Sequence, residues 1–345
     1  MARNPACGLL KSLTMAGVSP ARVVSAVYGE PSREGQSPFA LGVGNQFEAG
    51  LFESGAARLL DLYRTAGRLQ LAECRVADVP GLAPGTSQAA MERRHTVSDQ
   101  LLRRKLAGDP AAPNLIIKPR LVVGLLGLTF NIEPDALLAA DEDSFYTPIE
   151  IKSYPDRDGK TDPVDVRGAC RQAAVAVVAL REDARRFGTA PLEELIPARG
   201  DLVLRVPGSL RATLRPMTLA GEVDSLVRAL AAAPRDLDEA EALLRAISPA
   251  ATLDDPAVLD HLPTNYRESC REFCALARRC KERARCAGDP VLLGSRAREE
   301  YAAAGTLGRV LELLEGHGAA PPRTPAERRL QAQLHEAYRE LRLAI

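Results

Sequence analysis

Three charged residues near the middle of the chain have the types and spacing of a metal-binding site. Pro134 and Asp135 follow one apolar run, and Glu150 and Lys152 flank Ile151 in the next. In a strand, alternate side chains share a face, so Glu150 and Lys152 point the same way. A hairpin would bring that face beside Asp135, and two carboxylates at a sheet edge need a compensating cation. We therefore predict a divalent metal on Asp135 and Glu150, with Lys152 next to it.

This pattern resembles the PD-(D/E)XK nuclease superfamily, with Pro134-Asp135 followed by Glu150-Ile151-Lys152. The chain has six lysines and thirty-nine arginines, so a lysine at position 152 is notable. The resemblance implies an α/β fold with a restriction-endonuclease-like core, a mixed central sheet flanked by helices. It also implies Mg²⁺ or Mn²⁺ on Asp135, Glu150 and the carbonyl of Ile151, and hydrolysis of DNA phosphodiester bonds. An ordinary charged hairpin is the alternative interpretation.

Two predicted helices extend the resemblance to RecB-like nucleases. Glu48 follows Gly44 by four residues in a helical stretch over 39–69, and RecB-like nucleases carry Gly and then His or Glu at this spacing. The resemblance implies that Glu48 contributes to the metal site, by binding the metal through water or by binding a second ion. Gln172, in a helix predicted from Val164 to Arg181, matches a glutamine of the family, but position 176 is Ala instead of aromatic. The resemblance implies that Gln172 hydrogen-bonds the site or the scissile strand. A surface glutamate and a packing glutamine are the alternatives.

Four of the seven cysteines are clustered late in the chain, at Cys270, Cys274, Cys280 and Cys286. The first two share a helix face, but the other two do not continue it and their neighbours are charged, so a buried apolar stripe explains them poorly. Neighbouring thiolates favour a metal. The irregular spacing favours a four-iron four-sulfur cluster over zinc, and plain buried thiols are a further alternative.

The Cys-x₃-Cys-x₅-Cys run resembles the C-terminal cluster of iron–sulfur RecB-like nucleases, such as the CRISPR-associated RecB-like exonucleases. In those families one cysteine precedes the nuclease core and three follow it. Because four cysteines follow the core here, we predict Cys286 as the fourth ligand, with Cys7 and Cys74 as rivals. The cluster would be structural, since phosphodiester hydrolysis transfers no electrons.

The sequence divides into four predicted segments: an N-terminal segment (1–38), a nuclease core (39–233), a helical cysteine-cluster region (234–290) and a C-terminal helical hairpin (291–345). A linker is predicted near 233–236. Further strands are predicted over 115–117, 121–130, 201–206 and 211–219, the last two joined by a Pro-Gly turn.

Composition limits the class of protein. The 45 basic and 45 acidic residues balance, so any nucleic-acid surface must be local. There is no apolar run of about 18 residues, so we expect no transmembrane helix. A poor signal-peptide pattern predicts a cytoplasmic protein, in which disulfides are not expected.

The family analogy implies DNA as the partner, single-stranded or with free ends. It suggests a role in repair, recombination or antiphage defence, with a possible protein partner. A subunit that keeps the fold and binds nucleic acid without cleaving it is the alternative.

Overall fold

The computed structural model describes residues 4, 7–16, 18–29, 38–125, 128–140, 143, 145–188, 192–247, 262–272, 274–315 and 321–343. The chain forms two compact units. Residues 1–5 and 36–235 make the first, and residues 6–35 and 236–345 make the second.

The first unit contains helices on both faces of a mixed sheet. Its helices are α3 (Pro38–Thr65), α4 (Val79–Leu82), α5 (Gln88–Leu106), α6 (Pro163–Arg186), α7 (Leu192–Leu195) and the start of α8 (Ala220–Ile247). A kink with non-helical backbone angles at residues 53–56 divides α3 into two helical parts. Its strands are β1 (Val76–Asp78), β2 (Leu115–Ile117), β3 (Leu121–Leu125), β4 (Leu128–Ile132), β5 (Ala136–Leu138), β6 (Thr147–Pro155), β7 (Arg199–Arg205) and β8 (Ala212–Thr218). The predicted α/β fold with a mixed, helix-flanked sheet is confirmed at this level.

The six-stranded sheet has the order β1-β2-β5-β6-β7-β8. β1 pairs with β2 and β6 with β7 in parallel, and the other neighbours are antiparallel. Parallel neighbours need a long crossover, and α6 supplies it between β6 and β7. Asp162 caps α6 by accepting a hydrogen bond from the N–H of Val164 at 2.8 Å, and Pro163 starts its first turn.

Alternation along β6 divides its side chains between two cores. Ile149 and Ile151 join the core under α3, together with Phe47 and Leu51. The residues that alternate with these face the other core, which α5 and α6 cover. The face that α6 turns to this core consists mainly of small apolar residues. Glu150 and Lys152 therefore project from the α6 side of the sheet.

The structure corrects three details of the predicted elements. The run over 121–130 is not one strand: β3 and β4 pair as a separate two-stranded sheet. Asp135 does not end a strand but immediately precedes β5, which the sequence reading missed. The linker predicted at 233–236 lies within α8. The hairpin of β7 and β8 is confirmed, with Gly208 of its turn at φ +71°.

The second unit is helical in its described parts. It contains α1 (Gly8–Met15), α2 (Pro20–Tyr28), the end of α8, α9 (Ala277–Cys286), α10 (Ser295–Glu300), α11 (Leu307–Glu315) and α12 (Pro325–Leu343), with 3₁₀ turns at Glu268–Glu272 and Pro290–Leu293. α1 and α2 therefore pack with segments more than two hundred residues later, such as Leu262 and Leu276. Within the described ranges, we find no helix whose length and apolar character would let it span a membrane.

Candidate active site and cysteine cluster

The β5–β6 hairpin places Asp135 against the backbone of Ile151. Ala136 pairs with Ile149, so Asp135 lies one step beyond the paired residues, beside the middle of β6. Its Oδ2 accepts a hydrogen bond from the N–H of Ile151 at 2.7 Å. The carbonyl of Ile151 points to the same side as its N–H, as in any strand. The sequence motif is thus assembled by the backbone of two adjacent strands.

Lys152 lies between the two predicted acidic residues. Its Nζ is 3.8 Å from Oδ2 of Asp135 and forms an ion pair with Glu150. Glu150 is buried, with 8% of its side chain exposed. Burial alone would lower the pKa of Lys152, but the carboxylates of Glu150 and Asp135 outweigh it, so this pKa is raised. The ammonium group is therefore charged at neutral pH.

A second lysine, Lys118, belongs to this group and was missed by the sequence reading. Its Nζ lies 3.3 Å from Oδ1 of Asp135 and forms an ion pair with Glu48. Its N–H also donates to the carbonyl of Asp135 at 3.1 Å. A useful signal was present: Lys118 is one of only six lysines, and it directly follows the buried β2.

Lys118 has an uncommon backbone conformation. Its φ is +49°, in the left-handed region, which costs a residue other than glycine about 1–2 kcal/mol. The hydrogen bond and ion pairs to Asp135 and Glu48 compensate this cost. Strain of this kind is concentrated at functional sites in proteins, which is consistent with a specific task for this turn.

Glu48 reaches the site through Lys118. It lies on α3, on a face that otherwise carries buried Phe47 and Leu51, and its side chain is 22% exposed. A glutamate there needs a partner, and the ion pair with Lys118 provides one. The sequence predicted Glu48 as a member of the site. In the structure, Glu48 and Asp135 both contact the ammonium group of Lys118.

Three carboxylates and two ammonium groups form this group of five side chains. They are Glu48, Asp135, Glu150, Lys118 and Lys152. Among the described residues, no set of three or more His, Cys, Asp or Glu side chains is arranged to hold a metal ion. The donor set nevertheless fits Mg²⁺ or Mn²⁺ chemically, because both prefer carboxylate and carbonyl oxygens. Negative charge exceeds positive within the group, which also favours a cation.

Gln172 lies on α6, the helix that packs against β6 on the face of Glu150 and Lys152. The amide is half-buried. The structure records no contact that joins it to the five charged side chains. Its predicted role at the site therefore stays a prediction based on its helix alone.

The late cysteines lie in the second unit, and Cys7 lies with them. Cys274 and Cys280 pack against two apolar clusters, one containing Cys7 and the other Cys270. Burial and the neighbouring Cys270 and Cys7 raise the pKa of Cys274 to about 11. Burial and the nearby Cys7, Cys274 and Cys270 raise the pKa of Cys280 to about 12. These four thiols are therefore neighbours, and any metal they bind must displace protons.

The other predicted cluster cysteines are placed differently. Cys286 is exposed at the end of α9. Cys74 packs at the core under α3, in the first unit. All seven cysteines are described, and no disulfide joins any of them.

Comparisons of the chain with models of known protein families, with curated proteins and with solved structures found no match.

Proposed function

We propose that this protein is a Mg²⁺- or Mn²⁺-dependent nuclease that hydrolyses phosphodiester bonds of DNA, built on a restriction-endonuclease-like core of the RecB type. The observation that carries the proposal is the placement of Asp135 against Ile151, with Lys152 beside it. An acid, a second acid on the next strand and a lysine two residues later meet at one point of the sheet. An ordinary charged hairpin would leave these groups in solvent.

Asp135, Glu150 and the carbonyl of Ile151 would hold the divalent ion, and Glu48 would reach it through water. When bound, the ion would supply a Lewis acid for the phosphate and a lowered pKa for the attacking water. Lys152, kept charged by its two carboxylate neighbours, donates hydrogen bonds and stabilises negative charge on the phosphate.

Lys118 holds two of the acids in place. It links Glu48 on α3 to Asp135 at the start of β5 and so fixes their separation. Positioning of this kind matters because small displacements of catalytic groups cost large factors in rate.

We also propose that Cys7, Cys270, Cys274 and Cys280 bind an iron–sulfur cluster, with zinc as the alternative. The donor set fits either metal, since four thiols can supply four thiolates. Cys7 replaces Cys286 as the fourth ligand in this proposal, because Cys274 and Cys280 pack against the apolar cluster that contains Cys7, whereas Cys286 is exposed. The cluster would join the N-terminal helices to the late segment of the same unit.

One observation favours a second function, a subunit that binds nucleic acid without cleaving it. Each acidic side chain of the site already has a lysine partner, so the group is largely compensated without a metal. A scaffold in a repair or defence complex would need no bound metal, and these ion pairs would be enough to compensate the acids.

The decisive experiment incubates anaerobically purified protein with labelled single- and double-stranded DNA and Mn²⁺. We expect the wild type to cleave and Glu150→Ala and Lys152→Ala to lose cleavage. Arg64→Ala, which removes one positive charge from an exposed position on α3, is the control and should cleave as the wild type does. Binding without cleavage by the wild type would support the scaffold function, and neither binding nor cleavage would refute both.

A further inference from the structure

A cavity of about 440 Å³ lies on the first unit, between the loop before α6, α6 itself, β8 and the first turn of α8. Its polar lining includes Thr161, Arg167, Cys170, Arg215, Thr218 and Glu222. None of these residues belongs to the carboxylate–lysine group described above.

The sheet register places this cavity beside the candidate active site. Glu150 pairs with Leu202, and Leu202 pairs with Arg215, so the three residues form one row across β6, β7 and β8. Paired residues on neighbouring strands point to the same face, and Leu202 packs in the core on the α6 side. Arg215 therefore projects from the face of Glu150, two strand spacings or about 10 Å away.

The guanidinium of Arg215 has unused hydrogen-bonding capacity. Its Nη1 is buried and has no hydrogen-bond partner among the described residues. A buried donor without an acceptor is costly, so a group that accepts a hydrogen bond from this nitrogen would bind favourably there. By contrast, Arg103 and Arg104 on α5 each pair with a carboxylate, Asp99 at 2.8 Å and Asp109 at 2.7 Å.

The charge of the cavity favours an anion. Arg167 adds a second guanidinium from α6, and the single acid, Glu222, is engaged by Arg171 at 3.3 Å. Guanidinium groups match phosphate in geometry and bind it with charge-assisted hydrogen bonds. The distance of about 10 Å from Glu150 to Arg215 is short on the scale of a nucleic-acid strand, which carries a phosphate on every nucleotide. A phosphate close to the scissile one could therefore reach Arg215.

We propose that Arg215 and Arg167 form a phosphate subsite that holds the nucleic-acid backbone a few nucleotides from the scissile bond. This inference rests on the proposed function, because it takes its substrate from it. Contact with phosphate alone carries no sequence information, so the subsite would orient the strand without selecting a base sequence.

The test measures binding of a short fluorescein-labelled single-stranded DNA by anisotropy, in EDTA so that no metal-dependent cleavage occurs. We expect Arg215→Gln and Arg167→Gln each to weaken binding about tenfold. Each should also lower the slope of log affinity against log salt by about one. Arg64→Gln, which removes the same charge from α3 on the other sheet face, should bind as the wild type does.

Arg167 is exposed, so Arg167→Gln tests the subsite even if Arg215→Gln fails to fold. Unchanged affinity in Arg167→Gln and in folded Arg215→Gln would overturn the subsite, and cleavage by the wild type in Mn²⁺ would then leave the nuclease standing. Arginine-dependent binding without any cleavage would keep the subsite and overturn the nuclease. A wild type that does not bind the oligonucleotide overturns the subsite, whatever the cleavage assay shows.

Discussion

The two candidate functional regions of this chain are built in opposite ways. The carboxylate–lysine group takes Asp135, Glu150 and Lys152 from adjacent strands of one hairpin, and the pleat of β6 aims the last two. The cysteine group takes Cys7 from before α1 and three cysteines from near α9, with most of the chain between them. The first depends on local backbone geometry, and the second depends on two distant segments folding together.

This difference indicates how each region should respond when a single residue is substituted. Hydrogen bonds of the sheet hold the carboxylate–lysine group, so single side-chain changes there should alter chemistry more than folding. The cysteine group joins two segments that are distant in the chain, so loss of a ligand should weaken the whole unit.

The largest effect should come from Cys7→Ser. We expect it to lose bound iron or zinc and the visible absorbance of a cluster, and to melt at lower temperature, because one ligand of four is removed. Metal analysis and thermal unfolding measure this. Cys286→Ser is the matched control, since Cys286 is exposed, and it should keep its metal. Metal loss in Cys286→Ser but not in Cys7→Ser would return the fourth ligand to Cys286.

Lys118→Met should have the next largest effect, on the first unit. The change leaves Glu48 and Asp135 without their shared ammonium, and for this partly exposed pair the metal-free protein should lose about 1–2 kcal/mol. Mn²⁺ should then raise the melting temperature more in the variant than in the wild type, because the ion replaces the missing charge.

Thermal unfolding with and without Mn²⁺ measures this effect. Lys160→Met, at an exposed position, is the control. If Mn²⁺ raised the melting temperature equally in Lys118→Met and in the wild type, the ion would not be replacing the charge of the Lys118 ammonium.

A smaller effect is expected from Tyr63→Phe, which tests a buried hydrogen bond between α3 and β7. The hydroxyl of buried Tyr63 donates to Oδ2 of buried Asp201 at 2.8 Å, and Arg68 pairs with the other oxygen. Removing the hydroxyl should cost the first unit about 1 kcal/mol in free energy of unfolding. Urea unfolding measures it, with Tyr301→Phe in the second unit as control. No loss would mean that Arg68 alone satisfies Asp201.

The smallest effect concerns acid. Hydrogen bonds from Arg309, and then from the N–H of Arg323, lower the pKa of Glu327 to about 2. A lowered pKa means that the contribution to stability is complete above the ordinary value of 4.5 and is lost as pH falls from there towards about 2. The melting temperature of the second unit should fall as the pH is lowered through this range in the wild type. It should fall less in Arg309→Gln. Parallel pH profiles would refute the linkage.

The sequence predicted the parts of the first unit that depend on short-range pattern. Strand alternation placed Glu150 and Lys152 on one face, and apolar periodicity located α3 and α6. It did not reveal β5, because a three-residue strand carries too little pattern. It also missed Lys118, whose partners lie on α3 and before β5 and so cannot be read from its neighbours in the chain.

The sequence alone determined that four late cysteines and an acid–acid–lysine motif exist, because residue types and spacing are local properties. Only the tertiary structure decided which side chains meet. It placed Cys7 in the apolar cluster against which Cys274 and Cys280 pack, and it left Cys286 exposed. It also aligned Arg215 with Glu150 across three strands. Contacts between distant segments depend on which apolar faces can be buried together, and that is a property of the whole fold.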